Sequence, residues 1–265
     1  MKINIRKLSA AALLLFAITY KVNAQVSPAK PNAADEEALK KANNPLADIK
    51  SFNVQNYIIS SIYGAPDAYL NQFLLRYSQP VGKLLLRATM PFVVSSAANQ
   101  SPLTGLGDFN MFAIYSLPGS NGNQFGIGPT LTVPTGTNNL GQGKWQAGIS
   151  ALAFFAKSHV IQTGSLLQFQ GSFAGDENRE KVSLLTAQMF FIWQAGGGTY
   201  LRSTGVWSFD LHHGYYNVPI GLGIGKVIKA GGTVFNIFAE PQFSVLADGA
   251  GQAKFQTFIG FNTQF

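Results

Sequence analysis

The 265-residue sequence contains no cysteine, only three histidines and only 12% charged residues. The absence of cysteine excludes disulfides and thiolate metal sites. A soluble domain carries about 25% charged residues, so this chain has few with which to cover a surface in water. Beyond residue 24, no run approaches the roughly 18 consecutive apolar residues of a membrane helix. Because 46% of the residues are hydrophobic, the apolar residues must be dispersed along the chain.

The dispersed apolar residues alternate with polar ones, as in strands with one apolar face. In the last twelve residues, the more apolar face comprises Phe255, Thr257, Ile259, Phe261, Thr263 and Phe265. At the edge of a soluble sheet such a strand promotes aggregation, whereas a closed barrel leaves it no free edge. An ending of alternate hydrophobic residues also resembles the assembly signal of bacterial outer-membrane proteins, here carried by Phe261 and Phe265.

Residues 1–24 have the three parts of a secretory signal peptide. Basic residues open the segment, an apolar core covers residues 10–18, and Val22-Asn23-Ala24 offers small residues for cleavage. We expect Gln25 to begin the mature chain. Removal of the signal takes four of the 19 basic residues with it, which leaves 15 against 12 acidic residues. With no basic run or aromatic-basic patch, nucleic acid is not an expected partner.

Residues 25–50 form a polar segment that we expect to lie in the periplasm. Acidic residues 35–37 precede Lys40 and Lys41, an order that suits the dipole of a short helix ending before Pro45. The same composition also suits a disordered lead-in. The sequence leaves both possibilities open.

Residues 51–265 are predicted to form an all-β, antiparallel, transmembrane outer-membrane barrel. The expected strands are 51–62, 69–78, 82–94, 105–117, 123–134, 144–156, 159–173, 181–194, 198–211, 216–228, 233–246 and 252–265. Twelve is an even number, as single-chain bacterial barrels require. Most of these strands exceed the roughly 9–11 residues that cross a membrane when tilted.

The predicted connections alternate between tight turns, such as 79–81 and 229–232, and longer loops, such as 95–104 and 135–143. Short periplasmic turns and longer outer loops are typical of outer-membrane barrels, and this phase places both termini in the periplasm. In strand 159–173, Phe169 is expected to face lipid and Gln168 the interior. A soluble β-sandwich would also alternate, but the signal peptide, low charge and strand lengths favour the membrane barrel.

Several motifs resemble one family. They are Asn44-Pro45-Leu46-Ala47-Asp48, Gly105-Leu106-Gly107-Asp108, Gly126-Ile127-Gly128-Pro129, Pro134-Thr135-Gly136-Thr137, Leu140-Gly141-Gln142-Gly143-Lys144-Trp145, Ser172-Phe173-Ala174-Gly175-Asp176 and the stretch from Val218 to Lys226. In these the chain is similar to the bacterial outer-membrane channel family named after the phenol-degradation meta pathway, whose members are often labelled "transporter" or "neuromedin U". The resemblance spans about residues 33–265 and implies a barrel with a transport role. It implies no catalytic residues.

Charged residues at inward positions of the predicted strands form the candidate pore lining. The basic members are Arg76, Lys83, Arg87, Lys144, Arg202 and Lys254, and the acidic members are Asp108, Asp210 and Glu240. Inward placement avoids the cost of charge in lipid, about 2–4 kcal/mol for a mid-membrane Arg or Lys. These residues either pair with one another and fill the interior, or their basic surplus favours anionic solutes.

Arg76 and Arg87 lie on neighbouring predicted strands and share the inward face. A hairpin centred near residue 80 or 81 would put Arg76 opposite residue 85 and Arg87 two residues further along. Asp108 is then the nearest acidic residue and neutralises at most one of the two. The pair is therefore the candidate anion filter.

The sequence gives little support for catalysis, a metal site or a cofactor, and we expect none. His212 and His213 are adjacent, so on a strand they would point to opposite faces and chelate poorly. A lipid-hydrolysing barrel would need Ser172 or Ser208 within hydrogen-bond reach of a histidine. Charged residues 176–181 are either a cation- or lipopolysaccharide-binding loop or an ordinary solvated loop tip.

The sequence therefore predicts an outer-membrane channel for passive transport of small solutes, either anionic or aromatic and hydrophobic. The alternatives are a structural barrel blocked by the N-terminal segment and, less favoured, a barrel enzyme acting on outer-membrane lipids. The expected partners are outer-membrane lipids, lipopolysaccharide and the outer-membrane assembly machinery.

Overall fold

The computed structural model describes residues 41–96, 101–120, 122–158 and 160–265. The predicted signal peptide over residues 1–24 lies outside this part of the chain, as do residues 25–40 and His159. Among the described residues, no helix combines the length and the apolar character needed to cross a membrane.

Alternating side chains and abundant β-branched and aromatic residues favour extended structure, and the described chain forms fifteen strands. They are β1 (Ser51–Ile62), β2 (Tyr69–Val81), β3 (Leu84–Ser96), β4 (Leu103–Leu106), β5 (Phe109–Leu117), β6 (Asn123–Val133), β7 (Lys144–Phe155), β8 (Ile161–Gly175), β9 (Ser183–Gly196), β10 (Thr199–Ser203), β11 (Val206–Asp210), β12 (Tyr215–Gly221), β13 (Gly223–Ala230), β14 (Thr233–Asp248) and β15 (Ala253–Gln264).

The fifteen strands make twelve crossings of one closed antiparallel barrel. β4 and β5 both pair with β3, β10 and β11 both pair with β9, and β12 and β13 both pair with β14, so each couple makes a single crossing. β15 pairs with both β14 and β1, with Ser51 opposite Gln264, and this closes the sheet. The predicted all-β barrel of twelve antiparallel crossings is confirmed.

The two ends of the barrel have connections of different length. We call the end that holds Ser51 and Gln264 the turn end, and the opposite end the loop end. At the turn end, connections 82–83, 197–198 and 231–232 contain two residues each, and connections 118–122 and 156–160 contain five. At the loop end, the connections range from four residues, in 211–214 and 249–252, to ten residues in 134–143. The first strand therefore begins, and the last strand ends, at the barrel end that holds the shortest turns.

The position of the first hairpin turn corrects the prediction. Residues 79–81 are not the turn but the end of β2, with Pro80 opposite Leu85. β1 begins at Ser51, opposite Ser78, so Pro80 has a strand partner on one side only, and proline is tolerated there because one ladder is missing. The turn itself is Gly82-Lys83, where Gly82 has φ 58°, a conformation that costs glycine little.

Side chains alternate between the barrel interior and its outer surface. In β8, Gln162 and Leu166 are buried, whereas Leu167 and Phe169 are 44% and 39% exposed. In β15, Gln264 is buried and Phe261 is exposed. The predicted phase of both strands is confirmed, and the outer surface is apolar.

Candidate functional site in the barrel lumen

Residues 41–50, which precede β1, lie inside the barrel at the turn end. Leu46 is buried in a cluster with residues of β3, β5, β7 and β8, namely Leu85, Phe112, Ile114, Leu152, Phe154 and Leu166. Ala42 is buried in a second cluster that includes Tyr57, Tyr200, Phe238 and Phe258. The segment therefore crosses the lumen between two apolar walls, and we call residues 41–50 the luminal segment.

Polar contacts fix the luminal segment to three strands. Asn44 Nδ2 donates to Gln124 Oε1 of β6 at 3.0 Å, and Asn236 Nδ2 of β14 donates to Asn43 Oδ1 at 3.0 Å. Gln264 Nε2 of β15 donates to the carbonyl of Ala42 at 3.2 Å. These contacts, together with burial of Leu46, narrow the lumen at the turn end.

A cavity of about 130 Å³ remains between the luminal segment and the barrel wall. Its lining includes Gln55, Arg76, Arg87, Arg202 and Phe258 on the wall side. One water needs about 10–15 Å³ measured in the same way, so the cavity has room for a small solute or several waters.

Arg202 and Glu240 form a buried ion pair in the wall of the lumen. Arg202 Nε lies 2.8 Å from Glu240 Oε2, and the Glu240 side chain is 0% exposed. Thr204 donates to Glu240 twice, from its backbone N to Oε1 and from its hydroxyl to Oε2, each at 2.7 Å. Gln242 Nε2 also donates to Oε1 at 2.9 Å. Both carboxylate oxygens are therefore satisfied and the charge of Arg202 is balanced.

Aromatic rings cover the Arg202 guanidinium group. Its Cζ lies 3.6 Å from the ring centroid of Phe238 and 5.4 Å from that of Phe258. Tyr57 stacks on Phe258 with centroids 4.2 Å apart. A cation over an aromatic face is stabilised by the ring quadrupole, so this side of the lumen combines apolar area with a charge that is already paired.

Arg76 and Arg87 line the same cavity without a carboxylate partner among the described residues. Arg76 Nη1 donates to Gln55 Oε1 at 2.6 Å, and the Arg87 guanidinium lies over the Phe112 ring at 4.1 Å. The Nε atoms of both arginines are buried with no hydrogen-bond partner. Within the described part of the chain, neither of these two positive charges is balanced by a carboxylate.

The register places these two arginines differently from the prediction. Arg76 lies opposite Thr89, not residue 85, and Arg87 lies opposite Ser78. The shift follows from the turn at 82–83. Two diagonal positions on the same face are still within reach of long side chains, so Arg76 and Arg87 remain neighbours.

Asp108 does not contact either arginine but holds a loop at the loop end. Its Oδ1 accepts from the backbone N of Gly136 at 3.0 Å and its Oδ2 from that of Gln142 at 2.6 Å. Thr137 Oγ1 accepts from the backbone N of Leu106 at 2.9 Å. Three of the sequence motifs therefore form one unit, in which Asp108 satisfies the backbone of connection 134–143.

The remaining candidate lining residues lie away from the cavity. Lys83 is exposed in the turn 82–83, Lys144 begins β7 at the loop end, and Asp210 ends β11. Lys254 is exposed near the loop end, with Nζ 5.9 Å from the Tyr63 ring centroid. Of the nine candidates, Arg76, Arg87, Arg202 and Glu240 are brought together.

A set of uncharged polar residues in the lumen was not singled out from the sequence. Gln170 Oε1 accepts from Thr132 Oγ1 at 2.7 Å and from Asn110 Nδ2 at 3.2 Å. Gln256 Nε2 donates to Gln242 Oε1 at 2.6 Å. Their signal in the sequence is a polar residue at every second position, which marks the inward face without any charge.

The histidine and serine positions give no nucleophile–base pair in the described residues. His213 Nδ1 lies 2.7 Å from Asp210 Oδ2 and its Nε2 lies 3.1 Å from Glu180 Oε2, so neither ring nitrogen contacts a serine. Ser172 Oγ accepts from the backbone N of Val182 at 3.0 Å.

The charged loop 176–181 is bound to the neighbouring connection 134–143, because Arg179 donates to the carbonyls of Gly141 and Gln142.

His213 links two loop-end connections in a pH-dependent way. The hydrogen bond to the Asp210 carboxylate raises the pKa of His213 above its usual value, and Glu180 adds to the effect. A raised pKa means that this link is complete below the unfolded value, about 6.5, and is lost as pH rises through the folded value. We expect an NMR titration to give a lower His213 pKa in Asp210→Asn than in wild type; equal values would contradict the contact.

No protein-family model and no curated protein matches the chain, whereas solved structures do. The COG4313 outer membrane channel from Pseudomonas putida F1 is similar with a TM-score of 0.63 at 14% identity, over 82% of this chain and 96% of that chain. The NanC porin is similar with a TM-score of 0.52 at 8% identity, over 82% of this chain and 98% of that chain. At these identities the similarity establishes the fold alone, that of an outer-membrane β-barrel.

Proposed function

We propose that this protein is a passive channel for small solutes in the bacterial outer membrane. The observation that carries the proposal is a closed barrel with an apolar outer surface, whose interior holds polar and charged side chains beside its two apolar clusters and a cavity next to the luminal segment. Many large hydrophobic side chains are exposed on the outer surface of the barrel, and an exposed apolar surface of this kind needs lipid around it. A lumen lined by Gln, Asn, Thr and Arg side chains supports passage of solutes that form hydrogen bonds.

The luminal segment narrows this channel, and its displacement controls how much passes. Support comes from Leu46, which belongs to no strand of the barrel wall but is buried in the apolar cluster of β3, β5, β7 and β8. The position of the luminal segment inside the barrel, held by contacts with the wall, also supports a second candidate function, that of a blocked barrel with a structural role. Conductance distinguishes the two.

The expected result is a small single-channel conductance for the wild type and a larger or more frequent one for Leu46→Asp. A carboxylate in the apolar cluster loses the burial energy of leucine, about 1.5–3 kcal/mol, which corresponds to roughly a tenfold or greater shift in the population of the displaced segment. Asp48→Ala is the matched control, because Asp48 is an exposed residue of the same segment. If neither wild type nor Leu46→Asp conducts ions in planar bilayers, the channel function is wrong.

We also propose a distant relationship to the channel family named after the phenol-degradation meta pathway, supported by the contacts among its motifs around Asp108. Lipids, lipopolysaccharide and the assembly machinery are the proposed partners, with β15 as the segment that the machinery recognises.

The proposed assembly signal ends at Phe265, the residue after β15. Phe265 donates its backbone N to the carbonyl of Lys50 at 3.1 Å, and its side chain is 56% exposed. Phe265→Ser should therefore lower the amount of heat-modifiable barrel in outer-membrane fractions. Normal amounts would remove the case for an assembly signal.

A further inference from the structure

The two arginines of the first hairpin present an unusual charge arrangement. Arg76 and Arg87 are neighbours on the inward face, and each has a buried Nε without a hydrogen-bond partner. Buried charges in proteins are normally paired, because the cost of removing an ion from water is large. The carboxylate that might have balanced them, Asp108, is bound to connection 134–143.

The other charged groups of the cavity do not supply the missing negative charge. Glu240 pairs with Arg202 of the cavity lining, and both of its oxygens are already bound by Arg202, Thr204 and Gln242. Among the described residues, no acidic side chain forms an ion pair with Arg76 or Arg87. As far as the described residues extend, both positive charges of this pair therefore face the cavity without a counter-charge.

The surroundings of the pair suit a small anion. Gln55 Oε1 holds one nitrogen of Arg76 and Phe112 supports the face of Arg87, so both guanidinium groups are fixed before a ligand arrives. Ser78, directly opposite Arg87, and Gln188 also line the cavity. Guanidinium groups favour planar or tetrahedral oxyanions because their N–H donors match two oxygens at once.

We propose that Arg76 and Arg87 form an oxyanion-binding site in the lumen, and that the solutes of this channel carry a carboxylate or phosphate group. The binding site rests on the arginine geometry alone, whereas the anionic solutes rest in addition on the proposed channel function. An oxyanion held by both arginines replaces the missing counter-charge. Fixed positive charges at this point also favour anions over cations, since low-dielectric walls screen them weakly.

The first test measures binding without transport. The full-length protein, refolded in detergent, is heated in sodium phosphate and in sodium chloride of equal ionic strength. A ligand that binds only the folded state raises the unfolding midpoint with concentration, so phosphate should raise it more than chloride does. The Arg76→Gln, Arg87→Gln double variant should need at least about tenfold more phosphate for the same rise, because charge-assisted hydrogen bonds are lost.

Lys83→Gln is the matched control for this test. It removes a positive charge from the same hairpin, but at an exposed turn, so its phosphate dependence should stay within about twofold of wild type by the same arithmetic. The double variant should be at least as stable as wild type in chloride, because two unpaired like charges are gone. A phosphate effect that is absent in wild type, or equal in wild type and the double variant, overturns the site.

The second test measures selectivity in the conducting protein. In a potassium chloride gradient across a planar bilayer, the wild-type reversal potential should show anion preference, and the double variant should lose it. Added benzoate should reduce the wild-type current and affect the variant less. If phosphate binds but no current flows, the site stands and the channel function fails. If current flows without anion preference and without block, the assignment of anionic solutes is wrong.

Discussion

Replacing Glu240 with alanine should lower the free energy of unfolding by about 3–5 kcal/mol, the cost of leaving a buried charge without its partner. Arg202 would keep the Thr204 hydroxyl and the Phe238 ring, but neither balances its charge. The backbone N of Thr204 would also lose its acceptor, and an unsatisfied buried donor is itself costly. Urea titration of the protein folded into lipid bilayers measures the change.

A double variant separates the cost of a broken pair from the value of the pair. In Arg202→Leu, Glu240→Leu both charges are removed and apolar groups fill the space beside Phe238 and Phe258. Replacing both members of a buried ion pair is often close to neutral, so this variant should be clearly more stable than Glu240→Ala. If the two variants are equally destabilised, the ion pair is not what makes Glu240 important.

Replacing Phe169 with arginine should destabilise the membrane-inserted barrel by about 2–4 kcal/mol, the cost of an arginine on the lipid face near the bilayer midplane. Phe169 lies in the middle part of β8, and its side chain is 39% exposed on the outside of the barrel. On the lipid-facing surface the arginine side chain has no hydrogen-bond partner, so its charged end must extend towards the membrane–water interface. The measurement is again unfolding in lipid bilayers.

The adjacent position provides the control for the lipid face. Gln168 points into the lumen, where its Nε2 donates to Ser150 Oγ at 3.0 Å. Gln168→Arg places the same side chain in a polar interior and should be tolerated. Comparable destabilisation of the two variants would show that the inside and outside of β8 have been exchanged.

Local alternation carried most of the information about the fold. Strand residues have a side-chain period of two, so polar and apolar residues identify the faces of β8 and β15 without knowledge of their partners. Gly82, Gly198 and Gly231 mark connections where left-handed φ values are needed. Because these signals depend on neighbouring residues only, the sequence predicted twelve crossings and a last strand that ends beside the start of the first. The sequence places the first turn too early because proline favours turns, whereas a strand accepts proline where one side is unpaired.

The identity of interior contacts depended on tertiary structure, because it requires barrel closure and an exact register. Leu46 meets Phe154 and Leu166, more than a hundred residues away, and no local pattern links them. Arg202 of β10 forms an ion pair with Glu240 of β14. Asp108 instead accepts hydrogen bonds from the backbone of connection 134–143, and so it does not pair with Arg76 or Arg87. Sequence alone thus determined which residues face inward. Only the folded barrel decided which inward charges are neutralised, because a neutralising contact depends on distances of a few ångströms between distant segments.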